Sequence, residues 1–290
     1  MIPESGRDDR TEGQGSLAQL VRRNDHERYL TALFVPAERR TAVLALFAFN
    51  YEIARTREVV SEPLLGRIRL QWWREGIAEA YGAGAVRAHE VLTPLSAAIR
   101  QYRLNREGFD RMIDARERDL EAEPPATLAG LDAYCDATSG ALQSLVLNVL
   151  GERAEAAQRA ANAAGTAYAL SGLIRAIPYH ARAKRQFIPS ELAATERLDP
   201  RDLFELRSTA ALAAVARRMA ARAEEYVAQA REQRREIPKA ALPALLPARL
   251  AEGHLRRLTR ARFDVFAPAV AQPSAWAALS LTIAVLTGRY

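Results

Sequence analysis

Two short stretches of this chain gather side chains able to grip an anion or handle a proton. The first runs Tyr51-Glu52-Ile53-Ala54-Arg55-Thr56-Arg57-Glu58, with acids interleaved by guanidinium groups. The second is Arg175-Ala176-Ile177-Pro178-Tyr179-His180, followed by Arg182, Lys184 and Arg185. Arginine presents a fork of N–H donors that matches phosphate oxygens, so His180 and Tyr179 with the cations after them could form a basic mouth for a phosphate or a lipid headgroup. The plainer alternative is that His180 caps a kinked helix and the cations stand in solvent; it is preferred, because exposed basic clusters are common.

Other chemistry is less well supported. Cys135 has no base near it in sequence among the four histidines, His26, His89, His180 and His254, so a small buried residue is expected rather than a nucleophile. A single cysteine also excludes an internal disulfide and a cysteine-built zinc site, which fits a reducing compartment. Asp114, Glu117, Arg118 and Glu121 share a strongly charged helix, read as a solvated face. Adjacent Trp72 and Trp73 must point in different directions on a helix, so at least one is expected in the core. No Gly-rich phosphate loop, nucleophile elbow or HExxH motif is present.

The elements that must position these residues are helices. Of 290 residues, 49% are hydrophobic and 26% charged, dominated by Ala, Leu, Arg and Glu, with too few clustered β-branched residues for a sheet. The fold class is therefore all-α. Helices are expected near 16–31, 38–60, 64–81, 85–104, 106–120, 127–149, 153–180, 200–207, 209–235, 239–252 and 274–287, separated by Pro and Gly signals at Pro36, Pro63, Gly82, Pro124-Pro125, Gly151 and Pro189. Runs such as Ala42–Phe49 and Leu142–Leu150 are apolar on more than one face and belong inside a bundle. No linker or repeat divides the chain, so residues 15–290 are expected to form one domain after a disordered tail over residues 1–14.

The net charge of +6 does not imply nucleic acid. Basic residues alternate with acids, as in Arg116-Glu117-Arg118-Asp119, which reads as ion-paired, solvated helix faces, and no aromatic-and-basic stacking platform is visible. The first residues lack the apolar core of a secretory signal and carry too many acids for a mitochondrial transit peptide. The late apolar stretch 275–287 is too short for the roughly 20 residues that span a bilayer and is expected as a buried terminal helix. A cytoplasmic location, most simply in a bacterium, is expected.

Several motifs together resemble the squalene/phytoene synthase family. They are Phe34-Val35-Pro36 with Arg39-Arg40, Leu46-Phe47-Ala48-Phe49, Tyr134-Cys135 with Ser139-Gly140, and Leu173-Ile174-Arg175 with Phe187-Ile188-Pro189. Within that family the chain is similar to the branch of mitochondrial complex I assembly factors and their bacterial relatives, through Ala48-Phe49-Asn50-Tyr51-Glu52-Ile53-Ala54, Arg69-Leu70-Gln71-Trp72-Trp73-Arg74, Arg175-Ala176-Ile177-Pro178-Tyr179-His180-Ala181 and Arg262-Phe263-Asp264-Val265-Phe266. The resemblance implies a single-domain, isoprenoid-synthase-like helical bundle around a central cavity. In the family's enzymes, two DxxxD motifs on opposed helices hold Mg²⁺, which binds the diphosphates of prenyl substrates and neutralises the leaving group.

By alignment those motifs fall at 54–58 and 176–180, where this chain has Ala54 and Glu58, then Ala176 and His180. Arg55 and Arg57 would pair with Glu58 or repel a metal, and neutral imidazole is a poor Mg²⁺ ligand. Pro178 would kink its helix and turn His180 away from alignment with Ala176. Glu52 is the best substitute acid, but it lies on the same side as Glu58. No catalytic residue and no cofactor are therefore expected, with Mg²⁺ relevant only if condensation survives. The ligand-binding candidates are Tyr51, Glu52, Arg55, Arg175, Tyr179, His180, Arg182 and Arg185. The resemblance implies a non-catalytic factor assisting respiratory complex I assembly, with complex I subunits or assembly intermediates as partners. Alternatives are a prenyl-diphosphate condensing transferase with an altered metal site, and a lipid- or isoprenoid-binding module. Peripheral attachment to the inner membrane is a further possibility, with the amphipathic stretch Leu242–Leu258 as a segment that could dock on anionic lipid or on a partner subunit.

Overall fold

The computed structural model describes residues 9–272 and 274–290, and every regular element among them is helical. The chain opens with α1 (Asp9–Asn24), α2 (His26–Ala32), α3 (Ala37–Ala54), α4 (Thr56–Val59) and α5 (Pro63–Tyr81). It continues with α6 (Leu92–Tyr102), α7 (Arg106–Glu117), α8 (Leu128–Cys135), α9 (Ala141–Val149), α10 (Glu155–Arg175) and α11 (Ile177–Arg182). It ends with α12 (Ser190–Thr195), α13 (Pro200–Phe204), α14 (Ala210–Arg231), α15 (Leu242–Arg260), α16 (Pro268–Ala271) and α17 (Ala277–Thr287). Of the tail expected over residues 1–14, the first eight lie outside the described residues, while residues 9–14 belong to α1.

The centre of the bundle is α10, packed on α9, α14 and α15. Its small residues, Ala160, Ala161, Ala164 and Ala167 among them, let neighbouring backbones approach closely. The tightest approach is at Gly165, where a Cβ would lie 2.2 Å from the Ser139 carbonyl oxygen, so only glycine fits. Ser139 belongs to a π-helical turn, Asp136–Gly140, that joins α8 to α9. The helix α3 is buried without a break from Ala42 to Asn50, as its all-round apolar sequence requires.

Several long helices of the sequence reading are divided. Expected helix 38–60 breaks at Arg55 and expected helix 153–180 breaks at Ala176, both in the bridge region with ψ of −3°. The second break follows from Pro178, which has no N–H to offer the Ile174 carbonyl. The proline is accommodated in the first turn of α11, where that donor is not needed. Because the break falls before the proline, His180 N–H still donates to Ala176 C=O at 2.9 Å, and the i, i+4 relation expected to be lost is kept.

Two expectations for the C-terminal part are corrected. The stretch Leu242–Leu258 is not a surface for lipid: Leu245, Leu246, Leu250, Leu255 and Leu258 are all within 5% of complete burial, so its apolar face belongs to the core. The terminal helix α17 is not buried. Only Ala277, Leu281 and Ala284 face inward, while Trp276, Leu279, Ile283 and Leu286 stand out at 48–80% exposure. Amphipathic spacing alone identifies a stripe but not which surface covers it.

Replacing Gly165 by alanine is expected to lower stability by about 3 kcal/mol or more, since the added methyl meets backbone rather than a movable side chain. Denaturant unfolding of the variant against the parent protein checks this.

Candidate functional site

The two chemistry-bearing stretches meet at one end of the bundle. Glu58 lies on α4 just beyond the end of α3, and Tyr179 on α11 just beyond the end of α10. Tyr179 Oη donates to Glu58 Oε1 at 3.1 Å, joining the two segments directly. Both side chains are exposed at this contact. Glu52 is buried and accepts from Arg69 and, at 3.4 Å, from Arg55, whose guanidinium also lies 5.2 Å from the Tyr51 ring. Arg57 donates to the Val60 carbonyl at 3.4 Å. Contrary to the sequence expectation, Arg55 and Arg57 do not engage Glu58, because the helix breaks at Arg55 and Glu58 is turned to Tyr179.

On the other side, the His180 ring packs 4.9 Å from Phe187 and 5.4 Å from Tyr179. Its Nδ1 is buried with no hydrogen-bond partner. Burial, aided by the Arg185 charge, lowers its pKa to about 4, so the imidazole is neutral at pH 7. The recess behind it, bounded by Leu173, Ile177, Phe187, Leu203 and Met219, has no space for a water-sized sphere. The cations that follow diverge. Arg182 donates to Pro178 C=O in its own helix at 3.2 Å, Lys184 lies 5.5 Å from the Phe204 ring, and Arg185 turns inward to Asp119 C=O at 2.7 Å.

Arg175 points elsewhere, into a buried network that sequence reading missed. It donates to Glu27 Oε1 at 3.1 Å, and His254 Nε2 lies 2.9 Å from the same oxygen. Tyr168 Oη donates to Glu27 Oε2 at 2.9 Å. A proton on His254 Nε2 faces Glu27 and leaves Nδ1 as an acceptor 3.1 Å from Ser171 Oγ, whose hydroxyl is shared with the Tyr168 carbonyl at 3.0 Å. Burial alone would raise the Glu27 carboxyl, but His254 and Arg175 outweigh it and hold it well below the usual carboxylate range. Burial also depresses the His254 imidazole below its ordinary value, against the pull of Glu27. Next door, Asp25 caps α2 and fixes Arg28, which donates to Ser139 Oγ at 2.8 Å and stacks 4.8 Å from the Tyr168 ring.

A second interior group corrects the expected solvated face at Arg116–Asp119. Arg116 donates to Tyr134 Oη at 2.5 Å and to Asp119 at 3.2 Å, and Tyr134 donates to Asp119 at 2.8 Å. Arg116 and Asp119 turn inward with buried Leu120, while Asp114, Glu117, Arg118 and Glu121 stay exposed as expected, Arg74 bridging the first two. Cys135 is buried, and burial raises its thiol pKa far above the usual range. Trp73 is in the core at 1% exposure, with half-buried Trp72 beneath Arg87.

The family model described as squalene/phytoene synthase matches residues 21–277. The chain belongs to the squalene/phytoene synthase family. It is 31% identical over 273 residues, 94% of this chain and 81% of the relative, to a Mus musculus protein named NADH dehydrogenase (ubiquinone) complex I, assembly factor 6. The Homo sapiens protein of that name is 29% identical over 91% of this chain and 79% of its own length. A presqualene diphosphate synthase of Rhodopseudomonas palustris is 29% identical, over 57% of this chain and 58% of the enzyme. Among solved structures, a dehydrosqualene synthase superposes with a TM-score of 0.83, covering 96% of both chains at 18% identity. A squalene synthase of Alicyclobacillus acidocaldarius superposes with a TM-score of 0.76 at 20% identity, covering 87% of this chain and 95% of its own. These structural likenesses show the isoprenoid-synthase type of fold.

The squalene/phytoene synthase fold implies Mg²⁺ between the two motif helices, and the residues present here do not fit it. Ala54 and Ala176 offer no oxygen. Glu58 is engaged by Tyr179, Glu52 is neutralised by two guanidinium groups, and His180 is packed on Phe187. Among the described residues no three His, Cys, Asp or Glu side chains converge on a position that could hold a metal. Of the sequence candidates, Tyr51, Glu52 and Arg55 share one cluster and Tyr179 meets Glu58, but Arg175, Arg182 and Arg185 point three different ways. Glu27, Arg28, Tyr168 and His254 carried no motif, since their partners lie up to 227 positions apart. The one local signal was Asp25 as an N-cap, which orients Arg28.

Two measurements test this arrangement. Glu27→Ala leaves buried Tyr168 and His254 and half-buried Arg175 without their acceptor and is expected to cost about 3 kcal/mol, whereas Tyr179→Phe at the exposed contact costs under about 1 kcal/mol; denaturant unfolding compares them. The depressed His180 pKa means that the unfolded chain takes up a proton near pH 6.5 while the folded one resists until about 4. Stability therefore falls as pH drops through that window, and His180→Gln should remove about 2 kcal/mol of the acid loss, read from unfolding curves at pH 7 and pH 4.

Proposed function

We propose that this chain is a non-catalytic member of its family that assists the assembly of respiratory complex I, acting in the cytoplasm and attached peripherally to the inner membrane. The observation that carries this reading is the Tyr179–Glu58 hydrogen bond, set between two helices whose metal-ligand positions are Ala54 and Ala176. Departure of diphosphate from a prenyl chain needs its charge compensated as it develops, and the carboxylates nearest the motif positions, Glu52 and Glu58, are already in use. Further support is that the relatives matched over more than nine-tenths of this chain are named as complex I assembly factors. Complex I subunits or assembly intermediates are then the partners, with no cofactor. Among the described residues no helix is long and apolar enough to cross a membrane, so attachment would be through a surface.

The competing reading, prenyl condensation, draws on the partial match to presqualene diphosphate synthase. A lipid-binding module is favoured less, since the recess beside His180 is packed shut. Purified protein incubated with farnesyl or geranylgeranyl diphosphate and Mg²⁺ is expected to release no more diphosphate than a heat-inactivated control. Deletion of the gene is expected to lower membrane NADH:quinone oxidoreductase activity while hopanoid and carotenoid levels hold. Diphosphate release above the control, or intact complex I activity in the deletion strain, would overturn the reading.

A further inference from the structure

The exposed aliphatic side chains of this protein are not scattered. Val59, Leu64, Leu65 and Ile68 stand at 46–60% exposure within ten residues, on α4 and the first two turns of α5. The inward face of α5 is formed by Gly66, Leu70, Trp73 and Ile77, so Leu64, Leu65 and Ile68 project from the opposite face, where an amphipathic helix carries polar groups. Farther along, that outer face reverts to Gln71 and Glu75. The apolar part is thus confined to the end where Tyr179, 55% exposed, meets Glu58.

Cations frame this end. Arg67 is exposed on α5, half-buried Arg57 precedes it on α4, and Arg182 and Lys184 are exposed close after Tyr179. The acids do not cancel them: Glu52 is already paired with Arg55 and Arg69, and Glu58 and Glu62 are the exposed acids of α4 and the turn after it. We propose that α4, the start of α5 and α11 form a docking face for an anionic lipid bilayer. Aliphatic side chains enter the acyl boundary while Arg and Lys remain among the headgroup phosphates, the division of labour that a peripheral membrane face requires. The second uncovered apolar face, on α17, has no charged residue between Ala277 and Thr287 and so lacks the complementarity that singles out anionic lipid.

The proposal rests on the peripheral location put forward above and is independent of whether the protein is catalytic or serves complex I. Its test is co-sedimentation of the full chain with phosphatidylcholine vesicles, with and without about 30% phosphatidylglycerol. The protein is expected to bind the anionic vesicles at least about tenfold more tightly than the neutral ones, and less tightly as salt rises from about 50 to about 300 mM. A Leu64→Glu, Ile68→Glu double variant should lose binding on both compositions. An Arg67→Glu, Lys184→Glu variant, which leaves the apolar residues intact, should lose the preference for anionic lipid. A Leu279→Glu, Leu286→Glu variant on α17 should bind as the parent does. Absence of binding by the parent protein, unchanged binding by either of the first two variants, or loss through the α17 variant would overturn the proposal. So would a stable dimer that the α5 changes dissociate, which would make the face a contact with a second copy.

Discussion

The structure depends on keeping the charge of Glu27 compensated inside the protein. A carboxylate removed from water is costly unless donors surround it, and here His254 and Arg175 converge on one oxygen while Tyr168 serves the other. These partners come from α15 and α10, so the pairing fixes the register of three helices distant in sequence. The same short helix α2 carries Arg28, which reaches the π-helical turn at Ser139. Ser139 in turn is pressed against Gly165 of α10. Electrostatic pairing and close backbone packing therefore act on one joint, and neither can relax without disturbing the other.

The motif end follows the same rule of charge compensation with different means. Acid pairs facing each other across a gap repel unless cations lie between them. Removing the acids at positions 54 and 176 removes that repulsion, and a phenol hydroxyl spans to the remaining Glu58. Glu52 is balanced by guanidinium groups from the break just after its helix and from α5. Glu52 and Glu58 thus both have partners within the protein. The neutral, packed imidazole of His180 is consistent with that, since a charged group against Phe187 would carry an unrelieved desolvation cost.

How much of this was legible in the sequence differs by scale. Residue composition and the all-round apolar runs in α3 and α9 are local properties, and both the helical class and the interior place of these helices could be read from them. The breaks at Arg55 and Ala176 were harder. Pro178 signalled a disturbance, but only the backbone shows that it falls before the proline and leaves His180 in register. The amphipathic spacing of Leu242–Leu258 was read correctly as a stripe and assigned to the wrong medium, because nothing local says whether protein or lipid covers it. Arg116 and Asp119 were read as solvated for a related reason: alternating charge looks the same whether one pair turns inward or not. The Glu27 network was illegible, as its members share no spacing and gain meaning only once α2, α10 and α15 meet.

A bundle built this way separates what holds it together from what it presents. The buried acids are each paired with a cation, and the recess beside His180 is packed shut, so little of the polar chemistry at this end is left free for a small molecule. What is left at the surface is a set of aliphatic side chains at the start of α5 and along α17, with cations around α4 and α11. Each exposed leucine on a helix is tolerable singly, but their grouping on faces that polar residues could occupy calls for a covering partner. The shape of a fold and the chemistry of its site have different requirements. Shape needs only that each buried charge find an opposite, and here side chains alone meet that need.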